Sequence, residues 1–150
     1  MKQKIFLGAD HAGFELKEEV KRYLKGLGME VEDKGAYKFD SQDDYPDFIV
    51  HVAKKVAEDP KNNKGIIFGA SGQGEAISAN KIKGIRAALY YGGSMNIVKL
   101  SRTHNNANIL SLGARFLKKD EAIEAVDTWL KTDFSNEARH IRRIKKIEDI

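Results

Sequence analysis

The chain has 150 residues, 41% of them hydrophobic and 32% charged, with a formal net charge of +4. That length and balance suit one soluble globular unit with its own core, so a single domain over residues 1–150 is expected. The absence of cysteine excludes disulfides, thiolate metal sites and thiol nucleophiles, and makes a reducing, cytoplasmic setting the default.

No apolar run approaches the length of about 18 residues that a membrane span needs. Residues 1–8 have too short an apolar core for a signal peptide and lead straight into a strand. That first strand is expected over residues 4–8, followed by the loop Ala9-Asp10-His11-Ala12-Gly13. Residues 14–27 place Phe14, Leu16, Val20, Tyr23, Leu24 and Leu27 near a 3.6-residue repeat, and Gly28 stands where a helix C-cap glycine belongs. A second strand over 29–32 and a polar loop over 33–44 come next. Asp44-Tyr45-Pro46 reads as a helix entry with Asp44 as N-cap. Phe48, Ile49, Val52, Ala53 and Val56 form that helix's apolar face, and Asp59-Pro60 ends it. Gly65-Ile66-Ile67-Phe68 is strand-like. Gly69, Gly72 and Gly74 then break the pattern, and Glu75 to Lys81 supply helix formers. A fourth strand over 84–90, a helix over 94–101, a fifth strand over 108–112 and helices over 120–130 and 136–147 complete the chain. There is no internal repeat, low-complexity tract or linker.

Strands alternating with helices predict an α/β fold, with a parallel sheet covered by helices on both faces. Five strands suggest the order 2-1-3-4-5, and the ligand crevice of such a sheet lies beyond the carboxyl ends of strands one and three. Asp10 and His11 follow strand one, and the glycine loop with Glu75 follows strand three. Glycines let backbone approach a ligand closely, and the helix start behind them offers unpaired N–H groups to phosphate or an oxyanion. Glu75 has two readings, a carboxylate favoured by the helix dipole or a base beside an anion-binding loop. The meeting of two polar clusters on one crevice favours the second.

His104 can exchange a proton near neutral pH, or can simply complement the end of its helix. It precedes strand five, so it reaches the crevice only if the segment folds back or a second subunit brings it over; a dimer is expected on that ground. Arg115 follows strand five, on the ligand side. Arg139 and Arg143 are four apart and share a helix face, suited to bidentate phosphate contact or to a solvated surface. His51 reads as surface or packing, and Trp129 as core. No HExxH, carboxylate cluster or His pair at ligand spacing occurs, so no metal is expected. The glycine loop is not a Walker A, and Ile77 stands where a dinucleotide fingerprint needs its third glycine. The basic run from Arg139 to Lys146 has no aromatic platform and the rest of the chain is acidic in many places, so nucleic acid is not the expected partner.

Taken together, Gly8 to Gly13, Asp44-Tyr45-Pro46, Gly69 to Glu75, Ala79-Asn80-Lys81, His104-Asn105-Asn106-Ala107-Asn108 and Arg139 to Arg143 resemble the type B ribose-5-phosphate isomerases and the related galactose-6-phosphate isomerase subunits. The resemblance covers nearly the whole chain. It implies a Rossmann-like three-layer sandwich with an extra C-terminal helix. It also implies a homodimer with sites at the subunit boundary, or dimers paired into a tetramer, and no metal or organic cofactor. By position, Asp10 and His11 would bind the sugar, and Ala70, Ser71, Gly72, Gln73 and Gly74 would form the anion hole. Asn105 would touch substrate, Arg115, Arg139 and Arg143 would clamp phosphate and substrate, and His104 would open the furanose ring. Many members carry a cysteine base where this chain has Gly69; a subclass with Ser-Gly-x-Gly-Glu uses the glutamate, which would make Glu75 the base. The expected reaction is interconversion of ribose 5-phosphate and ribulose 5-phosphate through a cis-enediolate. The alternatives are a six-carbon substrate, such as allose or galactose 6-phosphate, or a non-catalytic phosphosugar-binding module.

Overall fold

The computed structural model describes residues 3–150; the first two residues of the segment too short for a signal peptide lie outside the described residues. The elements run β1 (Lys4–Ala9), α1 (Phe14–Gly26), β2 (Glu30–Asp33), α2 (Pro46–Glu58), β3 (Asn63–Gly69), α3 (Gln73–Asn80), β4 (Ala87–Tyr90), α4 (Met95–Thr103), β5 (Ile109–Gly113), α5 (Lys119–Lys131) and α6 (Ala138–Glu148). Most expected boundaries hold within two or three residues. At the start of α2 the N-cap residue is Tyr45, with no side-chain cap bond, so Asp44 lies one residue too early for that role. Among the described residues, no helix is long and apolar enough to cross a membrane.

All strands are parallel, and their order is β2-β1-β3-β5-β4. The three-layer α/β expectation holds, but the expected order 2-1-3-4-5 is corrected at its last two places. β5 pairs with β3 (Gly65↔Ile109) and also with β4 (Ala87↔Ile109). The physical reason is coverage. β5 is buried at every position, whereas three of the four β4 residues are only half-buried. A central parallel strand must be covered on both faces, and Ile109-Leu110-Ser111-Leu112 meets that demand better than Ala87-Ala88-Leu89-Tyr90.

The two-residue period of the strands divides the core into two. Ile5, Leu7, Ile66, Phe68, Leu110 and Leu112 face α1 and α5, where Val20, Leu24, Val126 and Trp129 meet them. Phe6, Ile67 and Ile109 face the other side, against Ile49, Val52 and Val56 of α2 and Ala79 of α3. Trp129 is fully buried, in keeping with a core role, and the Arg102 guanidinium sits 5.7 Å from its ring centre.

Both rims of the sheet are finished by side chains. On β2, Glu30 and Glu32 pair with Lys4 at 3.6 and 3.0 Å, and Glu32 also pairs with Lys34. On β4, the Asn80 side chain accepts from the Ala87 amide at 2.8 Å and donates to the Ala87 carbonyl at 3.1 Å, as a further strand would. The loop after β2 is tied to the end of β1. Ala9 donates to Gly35 and accepts from Ala36 at 2.8 and 2.7 Å, and the fully buried Lys17 donates to the Asp33 carboxylate at 2.8 Å and to the Ala36 carbonyl. Burial works against ionised Asp33, yet the ammonium groups of Lys17 and Lys21 and the Gly35 amide hold its carboxyl below the usual value.

Candidate active site

The register Ala9↔Phe68 sets Asp10 beside Gly69 at the carboxyl ends of adjacent strands. Asp10 is 6% exposed, and its Oδ1 accepts from the amides of Ala12 and Gly13 at 3.0 and 3.3 Å. Gly13 is needed there, because a Cβ would lie 2.5 Å from the backbone of Phe68. The loop therefore rests directly on β3. Asp43 Oδ1 accepts from both the His11 amide, at 2.9 Å, and the His11 Nδ1, at 2.7 Å. That hydrogen bond raises the His11 pKa above its usual value; partial burial opposes it, the charges of Asp10 and Asp43 assist, and Arg115 opposes.

The glycine loop crosses from β3 to α3. Gly72 adopts φ +77°, and a Cβ there would lie 2.8 Å from Leu89 Cδ1; the Ser111 hydroxyl donates to its carbonyl at 2.7 Å. Ala114 and Arg115 donate to the carbonyls of Gly69 and Ala70, which fixes the loop against the end of β5. Gln73 donates to the Ser71 hydroxyl at 3.3 Å. The Ser71 and Gly72 amides donate to no group among the described residues, so they remain free for an anion at the start of α3. Tyr45 presses its hydroxyl end on Gly74, where a Cβ would come within 2.6 Å.

Glu75 is 4% exposed and reaches back over Gly69. A Cβ added to Gly69 would overlap both carboxyl oxygens and the carboxyl carbon. The carboxylate thus occupies the space that a side chain at position 69 would fill. Burial raises the Glu75 carboxyl above its usual value; its own backbone amide opposes this, and the Asp10 carboxylate adds a further upward push. A buried carboxylate with a raised pKa, beside free amides, is suited to shuttle a proton while the amides hold negative charge.

One chain gathers Asp10, His11, Ala70, Ser71, Gly72, Gln73, Gly74, Glu75 and Arg115 at this edge. It does not bring the other expected residues to them. His104 is the C-cap of α4, and its ring stacks on His140 of α6 with centroids 4.2 Å apart and planes 20° apart. The exposed Asn105 accepts from Arg86 Nε through its carbonyl at 3.0 Å. These residues precede β5, so they lie at its amino end, about 13 Å or more from the crevice by strand rise alone. Exposed Arg139 and Arg143 stand on α6 at the same edge, where Glu148 pairs with Arg86 and Arg139 with Glu137 at 3.1 Å. The segment does not fold back toward Glu75, which leaves a second subunit as the route by which His104 would meet it.

Asp10, His11 and Asp43 bring side-chain nitrogen and oxygen atoms within 4.8 Å of one another, the one such group among the described residues. The 2.7 Å between His11 Nδ1 and Asp43 Oδ1 makes this a hydrogen-bonded acid–imidazole pair, not a ligand set. Asp43, which lies 32 residues from His11, is not among the site residues expected from sequence. Nor are the contacts made by Tyr45 and Ser111: Asp43 and Ser111 carry no local spacing signal, and the Asp44-Tyr45-Pro46 motif marks a helix entry without pointing to Gly74.

A family model described as Ribose/Galactose Isomerase matches residues 5–147. The chain is 43% identical over 141 residues to ribose-5-phosphate isomerase B of Mycobacterium tuberculosis, covering 94% of this chain and 85% of that protein. It is 42% identical over 147 residues to the probable ribose-5-phosphate isomerase B of Mycoplasma genitalium, covering 98% and 95%. The crystal structure of the Mycoplasma genitalium enzyme with bound ribulose-5-phosphate aligns with a TM-score of 0.94 over 99% of this chain and 96% of that one, at 42% identity. The Thermotoga maritima ribose 5-phosphate isomerase aligns with a TM-score of 0.91 over the full length of both chains, at 44% identity.

Proposed function

Because the chain belongs to the ribose/galactose isomerase family, we propose that it interconverts ribose 5-phosphate and ribulose 5-phosphate, with Glu75 as the base. The observation that carries this is the placement of the Glu75 carboxylate in the side-chain space of Gly69, beside Asp10 and the free amides of Ser71 and Gly72. His104 opens the furanose ring, and Asp10 and His11 engage the sugar. Glu75 then takes the C2 proton of the open-chain aldose. The C2–H electrons become the C1=C2 double bond, and charge moves onto O1. Transfer of the O2 proton to O1, and return of the proton from Glu75 to C1, gives the 2-ketose with its C1 hydroxyl and C2 carbonyl. The backbone N–H groups of Ser71, Gly72 and Gly74 stabilise the oxyanion, and loss of one such donor typically costs about 10²–10³ in rate. Arg115, Arg139 and Arg143 hold the phosphate, so that binding far from the reacting carbons orients them.

The working unit in this proposal is a homodimer. Asn105, His104, Arg139 and Arg143 of one copy complete the crevice of the other, which accounts for their distance from Glu75 within a copy. The test is conversion of ribose 5-phosphate in D2O with a chelator present. Ketose formation with deuterium exchange at C2 supports the assignment; binding without exchange would turn the protein into a phosphosugar-binding module. The family description covers galactose as well as ribose isomerases, so allose and galactose 6-phosphates belong in the same assay.

A further inference from the structure

His11 is gripped from several sides. Asp43 Oδ1 takes the ring Nδ1 at 2.7 Å and the backbone amide at 2.9 Å, and the Phe39 ring stands edge-on to the imidazole with centroids 6.3 Å apart. Nε2 has no partner among the described residues, and the His11 side chain keeps 28% of its surface exposed against 9% for Asp43. The second Asp43 oxygen, Oδ2, is buried without a hydrogen bond. Such a carboxylate is costly to keep unless something compensates for its burial, and a cationic imidazole at hydrogen-bond distance is what the site supplies. The loop that carries Asp43 is itself fixed to β1 by the Ala9, Gly35 and Ala36 backbone bonds and by the Lys17–Asp33 pair. The start of the loop is thus fixed at the strand end that bears His11, and Asp43 lies at its other end, just before α2 begins at Pro46.

We propose that Asp43 is a positioning residue for His11, holding the ring by Nδ1 so that Nε2–H is presented to the anionic sugar phosphate. This rests on the isomerase assignment of the crevice. A carboxylate bonded to one ring nitrogen fixes the tautomer and orientation of the other and favours the charged imidazole. The charged groups facing the ring are Asp43 from the loop before α2, Asp10 beside it, and Arg115 from the loop after β5, which alone of these opposes the charge. With two carboxylates favouring the charged ring and one guanidinium opposing it, the Asp43 hydrogen bond is the largest of these influences.

The test uses Asp43→Asn, which keeps the shape and removes the charge, together with Asp43→Glu and His11→Asn. Long-range proton–nitrogen correlation spectra of labelled protein read the tautomer and titration midpoint of His11. Asp43→Asn should move that midpoint down. It should also raise KM for ribose 5-phosphate about 10- to 100-fold, the usual effect of a lost hydrogen bond to a charged group, with kcat changed much less. The alkaline fall of 1/KM should shift to lower pH, Asp43→Glu should recover part of the affinity, and Asp43→Asn should add little in the His11→Asn background. An unchanged His11 midpoint, or a change confined to melting temperature, would overturn the proposal. Equal weakening of substrate binding by Asp43→Asn with and without His11 would overturn it too. If the wild type proves inactive on ribose 5-phosphate, inorganic phosphate binding replaces KM. The histidine titration then still reports on Asp43, which separates this proposal from the isomerase assignment.

Discussion

Substitution of Gly69 by alanine tests the placement of the base without touching the base. Gly69 is not in the left-handed region, so alanine fits its backbone, and the three atoms nearest the added methyl all belong to the Glu75 carboxyl group. Ordinary contact begins at 3.4 Å, and all three carboxyl atoms lie inside that limit by more than 1 Å. The carboxylate must therefore retreat by at least about 1 Å, a displacement that can cost roughly 10²-fold in rate when it removes a catalytic group from its attack geometry. Because the obstacle is the end of a flexible side chain, the fold should accept the change. Replacing glycine where the backbone is compatible stabilises by about 0.4–1 kcal/mol through the unfolded chain, and moving Glu75 toward water relieves its burial. Gly69→Ala should thus lose at least about 10² in kcat while its urea midpoint holds or rises. Adding Glu75→Gln should cost little more, since both changes disable one group. An alanine variant with near wild-type turnover, or a double variant whose losses multiply, would refute the placement of the base.

Glu75→Gln itself should abolish turnover, retain sugar-phosphate binding, and raise Tm by calorimetry, on the order of 2–4 °C for each 1 kcal/mol regained. The sign follows from burial: the raised Glu75 pKa means that the native state loses stability as pH rises from the ordinary carboxylate value through the raised one, so the variant's advantage should vanish in acid. By the same shift, the acid limb of the wild-type kcat/KM profile should lie above the ordinary carboxylate range. Mixing inactive Glu75→Gln and His104→Asn subunits after unfolding and refolding should restore about a quarter of wild-type activity, because half the dimers are mixed and each has one intact site of two; no recovery would place both residues in one copy's site. Lys64 is lowered to about 8, first by burial and then by Arg102 and Arg86. Its penalty on the native state is complete below pH 8 and gone above 10.5, so Lys64→Met should stabilise at pH 7 by about 3 kcal/mol at most, an advantage shrinking between pH 8 and 10 in denaturant titrations.

The alternation of strand and helix was legible because each element carries its own period, and that alone put Asp10 and Glu75 on a common edge. The order of the last two strands was not legible from chain succession, since β4 and β5 are both short and apolar; their difference lies in how completely each is covered. The Glu75 side chain's return over Gly69 has a local cause, six residues of separation and a glycine at the receiving end, and the missing cysteine at 69 hinted at it. Asp43 gave no hint, because its role depends on a loop held by Lys17, a lysine that falls among the apolar positions of α1 and finds Asp33 only in the folded chain. The stacking of His104 on His140 joins the ends of two helices with β5 and α5 between them, and no window of sequence contains it.

Asn80 has a consequence for assembly. By satisfying both backbone groups of Ala87 it does at one rim what the Glu–Lys lattice of Glu30, Glu32 and Lys4 does at the other: it denies an incoming strand a foothold. At Ala87 an incoming strand finds both backbone groups already taken, which favours association through side-chain surfaces over extension of the sheet. A contact of that kind can be tuned, or broken, residue by residue without unravelling the protomer.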